Sequence, residues 1–408
     1  MIGATTSSDP IKPKRFELGF DTWLLILIAV MIVFGMVMVY SASWDVSWRL
    51  HQDRNALFYR QLLNLGVALV VMFVAAWFPF EWLKKLALPL ILGTIAVLFA
   101  VLVVNLGGEY KRAFLGASVQ PSEMAKLALV IYLAVWMESK GEKLGDMGYG
   151  FWPLIFIVGI VGGLIVVQPD LSAGVTIGLV ALTMFFLAGA HPIQSFAFGV
   201  GGALVGFLVM KLHQTGANRW FQYQQGLVDI EEAHYHVQQS LQAFYSGGLL
   251  GRGLGASRAK FGFLPAPHTD SVYAIIGEEL GLIGALIVLA LFCLLLWRGF
   301  LIANKSENRL SMLIASGVTF WIGAEALINM SVLLGLLPFA GNALPFFSYG
   351  GSNLVITLAG IGLLLNVSRR VSLENRKRGL VASFSIGGGD GGRRVSRLGR
   401  RRRARQER

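Results

Sequence analysis

An all-α polytopic membrane protein with ten transmembrane helices is the fold this sequence predicts, and three observations predict it. The 408 residues are 55% hydrophobic and only 14% charged, where a soluble domain carries about 25% charged residues. The apolar residues gather into runs near the roughly 20 that a helix needs to cross hydrocarbon. Lipid offers no partner to an open strand edge, so such runs are helices. No signal-peptide pattern precedes the first run, which is long enough to stay as a span.

In chain order, residues 1–21 are polar and form an N-terminal segment; 22–368 form the membrane domain. Spans 1 to 4 are expected at about 22–42, 62–79, 86–105 and 121–138. Trp23, Tyr40, Trp77 and Trp82 fall near span ends, where amphipathic rings prefer the interface. Pro121 suits the first turn of span 4. The apolar stretch at about 151–190 would reach about 60 Å as one helix, twice the hydrocarbon core, so it must turn at Gln168-Pro169-Asp170. Spans 7 to 10 follow at about 195–211, 272–297, 310–336 and 351–368. A large loop, 211–271, separates spans 7 and 8. Within it Leu241, Phe244 and Tyr245 recur at helical spacing, which suits a short helix on the membrane surface.

The net charge of +12 is concentrated at one end. Residues 369–408 hold 14 Lys and Arg against Glu374, Asp390 and Glu407, leaving the rest close to neutral. This tail reads as disordered, cytoplasmic and drawn to anionic membrane lipids rather than to nucleic acid. Counting Lys and Arg in the tail and the short loops places both termini on the cytoplasmic side. The single cysteine, Cys293, lies mid-span and is expected to be buried packing.

Charged groups inside spans are costly and become candidates for function. Glu123 and Lys126 stand three residues apart on span 4; Asp170 marks a turn; Glu278 and Glu279 fall two turns into span 8; Glu325 and Asn329 share a face of span 9. Each has a plainer reading as a local ion pair, a turn residue or an interhelical hydrogen bond. Asp270 sits where span 8 should begin, after the extended approach that Pro265 and Pro267 impose, and taken locally it is an ordinary N-cap. What sets it apart is company. The topology puts Arg112, Glu123, Lys126, Asp170, Asp270 and Glu278 in the outer half of the membrane. Arg and Lys suit an anionic phosphate, and a half-buried carboxylate suits a general base. No Walker loop, dinucleotide fingerprint, zinc spacing or Gly-x-Ser-x-Gly elbow is present, which speaks against nucleotide-driven pumping and simple hydrolysis.

Several long motifs resemble the SEDS family, the polytopic FtsW/RodA/SpoVE proteins, in family order over about residues 20–370. They are Gln120-Pro-Ser-Glu-Met-Ala-Lys126, Gln168-Pro-Asp-Leu171, Gln239-Ser-Leu-Gln-Ala243, Ser246-Gly-Gly-Leu-Leu-Gly-Arg-Gly-Leu-Gly255, His268-Thr-Asp270, Gly277-Glu-Glu-Leu-Gly281 and Leu344-Pro-Phe-Phe-Ser-Tyr-Gly-Gly-Ser352. The resemblance implies an inverting peptidoglycan glycosyltransferase of the bacterial cytoplasmic membrane. It would polymerise lipid II at the outer face beside a class B penicillin-binding protein, within the division or elongation machinery. It implies Asp270 as the catalytic aspartate. Arg112, Glu123, Lys126, Asp170, Lys260, His268, Thr269 and Glu278 are taken as substrate-binding. No metal ligand set can be read, although Mg²⁺ or Mn²⁺ could share the pyrophosphate charge. The chain departs from the family's usual pattern at Ala113, Ser172, Ala266, Ser271-Val-Tyr273, Glu325, Asn342-Ala343 and Asn353. The rival readings are a lipid II flippase or another carrier of lipid-linked substrates, and a scaffold.

Overall fold

The computed structural model describes residues 19–104, 120–168, 170–212 and 214–387. Among the described residues the chain is helical with no strand. The helices are α1 (Thr22–His51), α2 (Ala56–Trp77), α3 (Phe80–Val104), α4 (Pro121–Lys140), α5 (Trp152–Val167), α6 (Leu171–Leu187), α7 (Pro192–Leu212), α8 (Gln214–Gly226), α9 (Tyr235–Gly247), α10 (Val272–Asn304), α11 (Arg309–Leu333) and α12 (Gly351–Gly387).

Eight described helical segments are long and apolar enough to cross a membrane. They are α1, α2, α3, Met147–Val167, α7, α10, α11 and α12 as far as Glu374. The expected division of the stretch at 151–190 is present: α5 ends at Val167 and the shorter apolar α6 starts at Leu171. Asp170 caps α6, its carboxylate accepting from the Ala173 backbone N–H. Pro121 opens α4 at its first turn, where a missing N–H costs nothing. The four ionisable residues Glu123, Lys126, Glu138 and Lys140 make α4 the most charged helix of this length in the bundle's centre.

α11 and α12 are the most enclosed of the long apolar helices, α11 burying Ala315, Val318, Trp321, Ile322, Glu325 and Asn329 among others. It packs against α4, α6, α10 and α12. α12 lies along α2, where Gly362 meets the Met72 carbonyl so closely that a Cβ would stand 2.3 Å from its oxygen. Lipid-exposed faces carry the remaining large apolar side chains, as in α1 with Trp23, Ile26, Val30, Val33 and Val37.

Four expectations change. Span 8 is not one continuous helix: α10 breaks at Gly281 (φ 69, ψ −166), a backbone region open essentially to glycine alone. The break frees two carbonyls and two amides, and the segment after α9 takes all four. Arg252 and Gly253 N–H donate to the Glu278 and Glu279 carbonyls (3.0 and 2.9 Å), and Leu282 and Ile283 N–H donate to Gly248 and Leu249 (2.9 and 3.3 Å). Cys293 is exposed on α10 rather than buried, because the inward face there is taken by Phe292, Leu295 and Gly299. The short loop helix exists as α9, but Tyr245 is 90% exposed. Its buried stripe is Val237, Ser240, Ala243 and Gly247, small residues that let the backbone reach α10, where a Cβ on Gly247 would lie 2.0 Å from the Gly277 carbonyl oxygen. Finally, α12 runs to Gly387 instead of ending near residue 368; residues 388–408 lie outside the described residues.

A side chain at Gly281 must therefore fail twice. Its Cβ would sit 2.4 Å from the Gly251 nitrogen, and the φ, ψ pair is forbidden to it. Gly281→Ala should lower the thermal midpoint of the purified protein by an amount equivalent to about 3 kcal/mol or more. Gly66→Ala, on a helix with nothing within 4 Å of the added Cβ, should leave the midpoint unchanged or slightly raised. Equal midpoints for the two variants, measured by fluorescence-detected size exclusion after heating, would contradict the account of the break.

Candidate functional site

Asp270 precedes α10 by two residues and is partly exposed. It is not the helix cap: Ser271 occupies that position, and the Ser271 hydroxyl donates to the Pro265 carbonyl. The three residues His268, Thr269 and Asp270 are held through their backbones. The Tyr349 N–H donates to the His268 carbonyl at 2.7 Å, the Ser348 hydroxyl to the Thr269 carbonyl at 2.6 Å, and the Asn329 amide to the Asp270 carbonyl at 2.9 Å. The turn is tight. Thr269 and Ser271 N–H both reach the carbonyl of Ala266, a non-glycine residue at φ 47, and Phe346 on the facing segment is at φ 69. Such strain survives only where the surroundings enforce it. The Asp270 carboxylate lies over Gly341, where a Cβ would stand 2.8 Å from Oδ2.

From Asp270 a chain of polar side chains leads into the bundle. Asn329 on α11 also donates to the Asn342 carbonyl at 2.6 Å, and the Asn342 amide donates to the Glu325 carbonyl at 3.0 Å. The Glu325 carboxylate pairs with the Lys126 ammonium, which meets Glu123 at 2.8 Å. Asn353 on α12 donates to Glu123 at 3.0 Å. One turn earlier, Gln120 and Ser122 donate to the Asp170 carboxylate at 3.2 and 3.0 Å. Glu123, Lys126, Asp170 and Asp270 are thus linked across α4, α6, α11 and α12, whereas Glu278 of the same sequence grouping is not part of this chain. Three acceptors in this chain, Glu325 Oε2, Asn329 Oδ1 and Asn342 Oδ1, are buried with no donor among the described residues.

Lys260 and Glu278 belong to a second cluster. The Lys260 ammonium is 3% exposed and pairs with Glu279 at 2.9 Å, while Ser41 of α1 donates to the same carboxylate at 2.7 Å. Glu278 accepts from the Arg258 and Ala259 N–H groups, both at 3.1 Å, and from the Ser257 hydroxyl. Both carboxylates tie the segment 246–260 to α10. His268 leans on Tyr349 with ring centroids 5.5 Å apart, and burial lowers its pKa to about 4, so it is uncharged at neutral pH. Arg112 lies outside the described residues. Ser41, Gln120, Asn342, Asn353 and Gly341 were missed by the reading of intramembrane charge, because all five are uncharged and a rule built on ionisable residues passes over them.

Lys126 carries one positive charge between two carboxylates, so the buried triad has a formal charge of −1. Lys126→Met would leave two unpaired carboxylates in an apolar bundle and should destabilise by about 3–5 kcal/mol. Glu325→Gln leaves the one-to-one pair of Lys126 with Glu123, and its thermal midpoint should fall by far less. A larger loss in the Gln variant than in the Met variant would mean that the triad is not the buried unit described.

No three His, Cys, Asp or Glu side chains among the described residues group as a metal site. Between α3 and α5 an apolar groove of about 650 Å³ runs along Leu92, Ile95, Phe99, Gly159, Gly163 and Leu164. The same two helices are also joined where the Gln168 amide, just past the end of α5, donates to the Leu98 carbonyl of α3 at 2.8 Å.

Comparison with known proteins places this geometry. Residues 21–373 match the FtsW/RodA/SpoVE family profile, described as cell cycle protein. The chain is 36% identical over 367 residues to a protein of Geobacter sulfurreducens named probable peptidoglycan glycosyltransferase FtsW, covering 88% of this chain and 98% of the relative. It is 36% identical over 359 residues to stage V sporulation protein E of Bacillus subtilis, covering 86% and 97%. Among solved structures it resembles the rod shape determining protein RodA of Thermus thermophilus, with TM-score 0.63, 28% identity and coverage of 86% and 97%. It also resembles a chain from a structure described as structural coordination of polymerization and crosslinking by a peptidoglycan synthase complex, with TM-score 0.68, 28% identity and coverage of 86% and 98%. With a match over almost all of its apolar length, the chain belongs to the FtsW/RodA/SpoVE family.

Proposed function

We propose that this protein is an inverting peptidoglycan glycosyltransferase that polymerises lipid II at the outer face of the bacterial cytoplasmic membrane. The observation that carries the reading is Asp270, held by its backbone at the end of a polar chain that reaches Lys126. The family relatives named as peptidoglycan glycosyltransferases support it. The eight long apolar helices together with α4 and α6 are the ten crossings of this reading, with both termini cytoplasmic and 211–271 outside.

In the proposed reaction the Asp270 carboxylate removes the proton from the 4-hydroxyl of the acceptor's N-acetylglucosamine. That oxygen attacks C1 of the donor's N-acetylmuramic acid, and undecaprenyl pyrophosphate leaves with inversion at C1. The groove between α3 and α5 suits an apolar polyprenyl chain. Lys126 and Lys260 are already paired with carboxylates, so in this arrangement they hold the walls of the site. The charge on the leaving pyrophosphate falls to Arg112. Mg²⁺ or Mn²⁺ could share that charge. The likeness to a chain of a peptidoglycan synthase complex supports a class B penicillin-binding protein as partner.

Because the bonds that frame Asp270 are made by backbone groups, Asp270→Asn should fold and insert normally. It should lose 10²–10⁴-fold in polymerisation, about what a general base contributes. The assay is labelled lipid II with purified protein, with and without its penicillin-binding partner: glycan ladders support the enzyme, leaflet exchange alone supports a carrier, and near-normal ladders from the Asn variant refute the assignment. Gly341→Ala tests the position of the carboxylate separately. The added methyl must push Oδ2 aside, a movement a flexible side chain makes cheaply, so stability should be kept while turnover falls by about 10²-fold. Unchanged turnover would show that the Asp270 carboxylate does not work where it lies over Gly341.

A further inference from the structure

The polar groups at the other end of α12 have no part in the proposed chemistry. Arg369 and Arg370 lie 18 residues after Gly351, about 27 Å along the helix, which is close to the thickness of the hydrocarbon core. They therefore face the membrane surface opposite Asp270. Each guanidinium lies against aromatic rings. Arg369 sits 4.2 Å from the centroid of Trp77 and 5.9 Å from that of Phe20, and Arg370 sits 4.1 Å from that of Phe80. Phe20 and Trp77 in turn meet edge to face at 5.7 Å.

The rings are fixed before any ligand arrives. The amide of Asn366, one turn before the arginines, donates to the Ala75 and Phe78 carbonyls at 3.0 and 2.6 Å. That clamps the turn from Trp77 to Phe80, between α2 and α3, onto α12. Nearby, Arg298 shows what a satisfied arginine looks like in this layer: its fork holds both oxygens of Asp21 at 3.0 and 2.7 Å. Arg369 and Arg370 have no such partner. No carboxylate lies within ion-pair distance of either among the described residues, and both Nε atoms are buried without an acceptor. Glu81 and Glu374 act on Arg370 only through space.

A guanidinium stacked on a ring has one face covered and keeps its in-plane N–H donors for an anion with matching oxygens. Two of them on successive residues, in an aromatic layer at a membrane surface, suit the phosphate of a lipid headgroup in the adjoining leaflet. We propose that Arg369 and Arg370, with Phe20, Trp77 and Phe80, form a binding site for the headgroup of an anionic phospholipid. Two adjacent guanidinium groups with no carboxylate in contact favour a headgroup whose phosphate is not already neutralised by choline. This is a built site at the bundle's edge, separate from any diffuse attraction of the basic segment beyond residue 374. It stands independently of the sugar chemistry at the opposite face.

Native mass spectrometry of the full-length protein in detergent, titrated with phosphatidylglycerol, phosphatidylcholine or inorganic phosphate, tests it. The wild type should retain one phosphatidylglycerol far more tightly than phosphatidylcholine. The double variant R369Q/R370Q should bind phosphatidylglycerol about thirtyfold more weakly, and R369K/R370K, which keeps the charge and loses the fork, should fall between them. Equal binding of the two lipids, or a double variant that binds like the wild type, overturns the site. Displacement of the lipid by millimolar inorganic phosphate would show a free-phosphate site and overturns the lipid assignment. Should size exclusion show that R369Q/R370Q is misfolded, Arg369→Gln and Arg370→Gln carry the test singly. Each should weaken phosphatidylglycerol alone, and unchanged binding in both again overturns the proposal.

Discussion

Hydrocarbon supplies no hydrogen bonds, so every backbone amide and carbonyl at membrane depth needs a partner within the protein. The break in α10 is where this constraint shapes the molecule most. Opening the helix at Gly281 removes the bonds from Leu282 to Glu278 and from Ile283 to Glu279. The segment 248–253 restores pairing at all four groups. The loop therefore cannot drift from the bundle without exposing four unpaired groups, each costly in lipid. Lys260 with Glu279, and Glu278 with the amides of Arg258 and Ala259, fasten the next part of the same loop. By residue 261 the chain has been tied down repeatedly, and only about ten residues remain to reach Asp270.

That arrangement explains how a loop residue can be placed as firmly as one on a helix. The part of α10 before the break, Val272 to Glu279, is buried throughout; the facing segment grips the His268 and Thr269 carbonyls through Tyr349 and Ser348, and Asn329 of α11 grips that of Asp270. The strained residues Ala266 and Phe346 stand on the two sides of this contact. Strain on both partners of a contact is what tight mutual fit produces, since neither backbone can relax without losing the bonds to the other.

Much of this was legible in the residues themselves. The length of the stretch at 151–190 against the thickness of a bilayer required the turn at Gln168 to Asp170, and the turn is there. The cost of charge in lipid pointed to Glu123, Lys126 and Asp170: the first two pair, and Asp170 is tied to the same helix through Gln120 and Ser122. The failures have physical causes too. Gly281 gave no warning of a break, because glycine in a membrane helix is common and the signal lay in the pairing partner some 30 residues away. Lys260 looked available to an anion because its partner Glu279 is hidden in a double glutamate whose two members point to different neighbours. α9 was read by its largest side chains, Phe244 and Tyr245; Phe244 does pack on Tyr273 of α10, but Tyr245 points away, and Gly247, which carried no signal, lets the two backbones approach.

The departures from the family pattern acquire a meaning once they are located. Glu325, Asn342 and Asn353 are scattered over 29 positions of sequence, yet all three belong to the network around Lys126. A carboxylate at 325 adds a negative charge beside Glu123, and an unpaired carboxylate there would be expelled or protonated. Lys126 is shared between the two, Asn353 donates to Glu123 from one side, and Asn342 donates to the Glu325 backbone from the other. The three positions therefore belong to one network, which is tied to the Asp270 segment through Asn329 and Asn342.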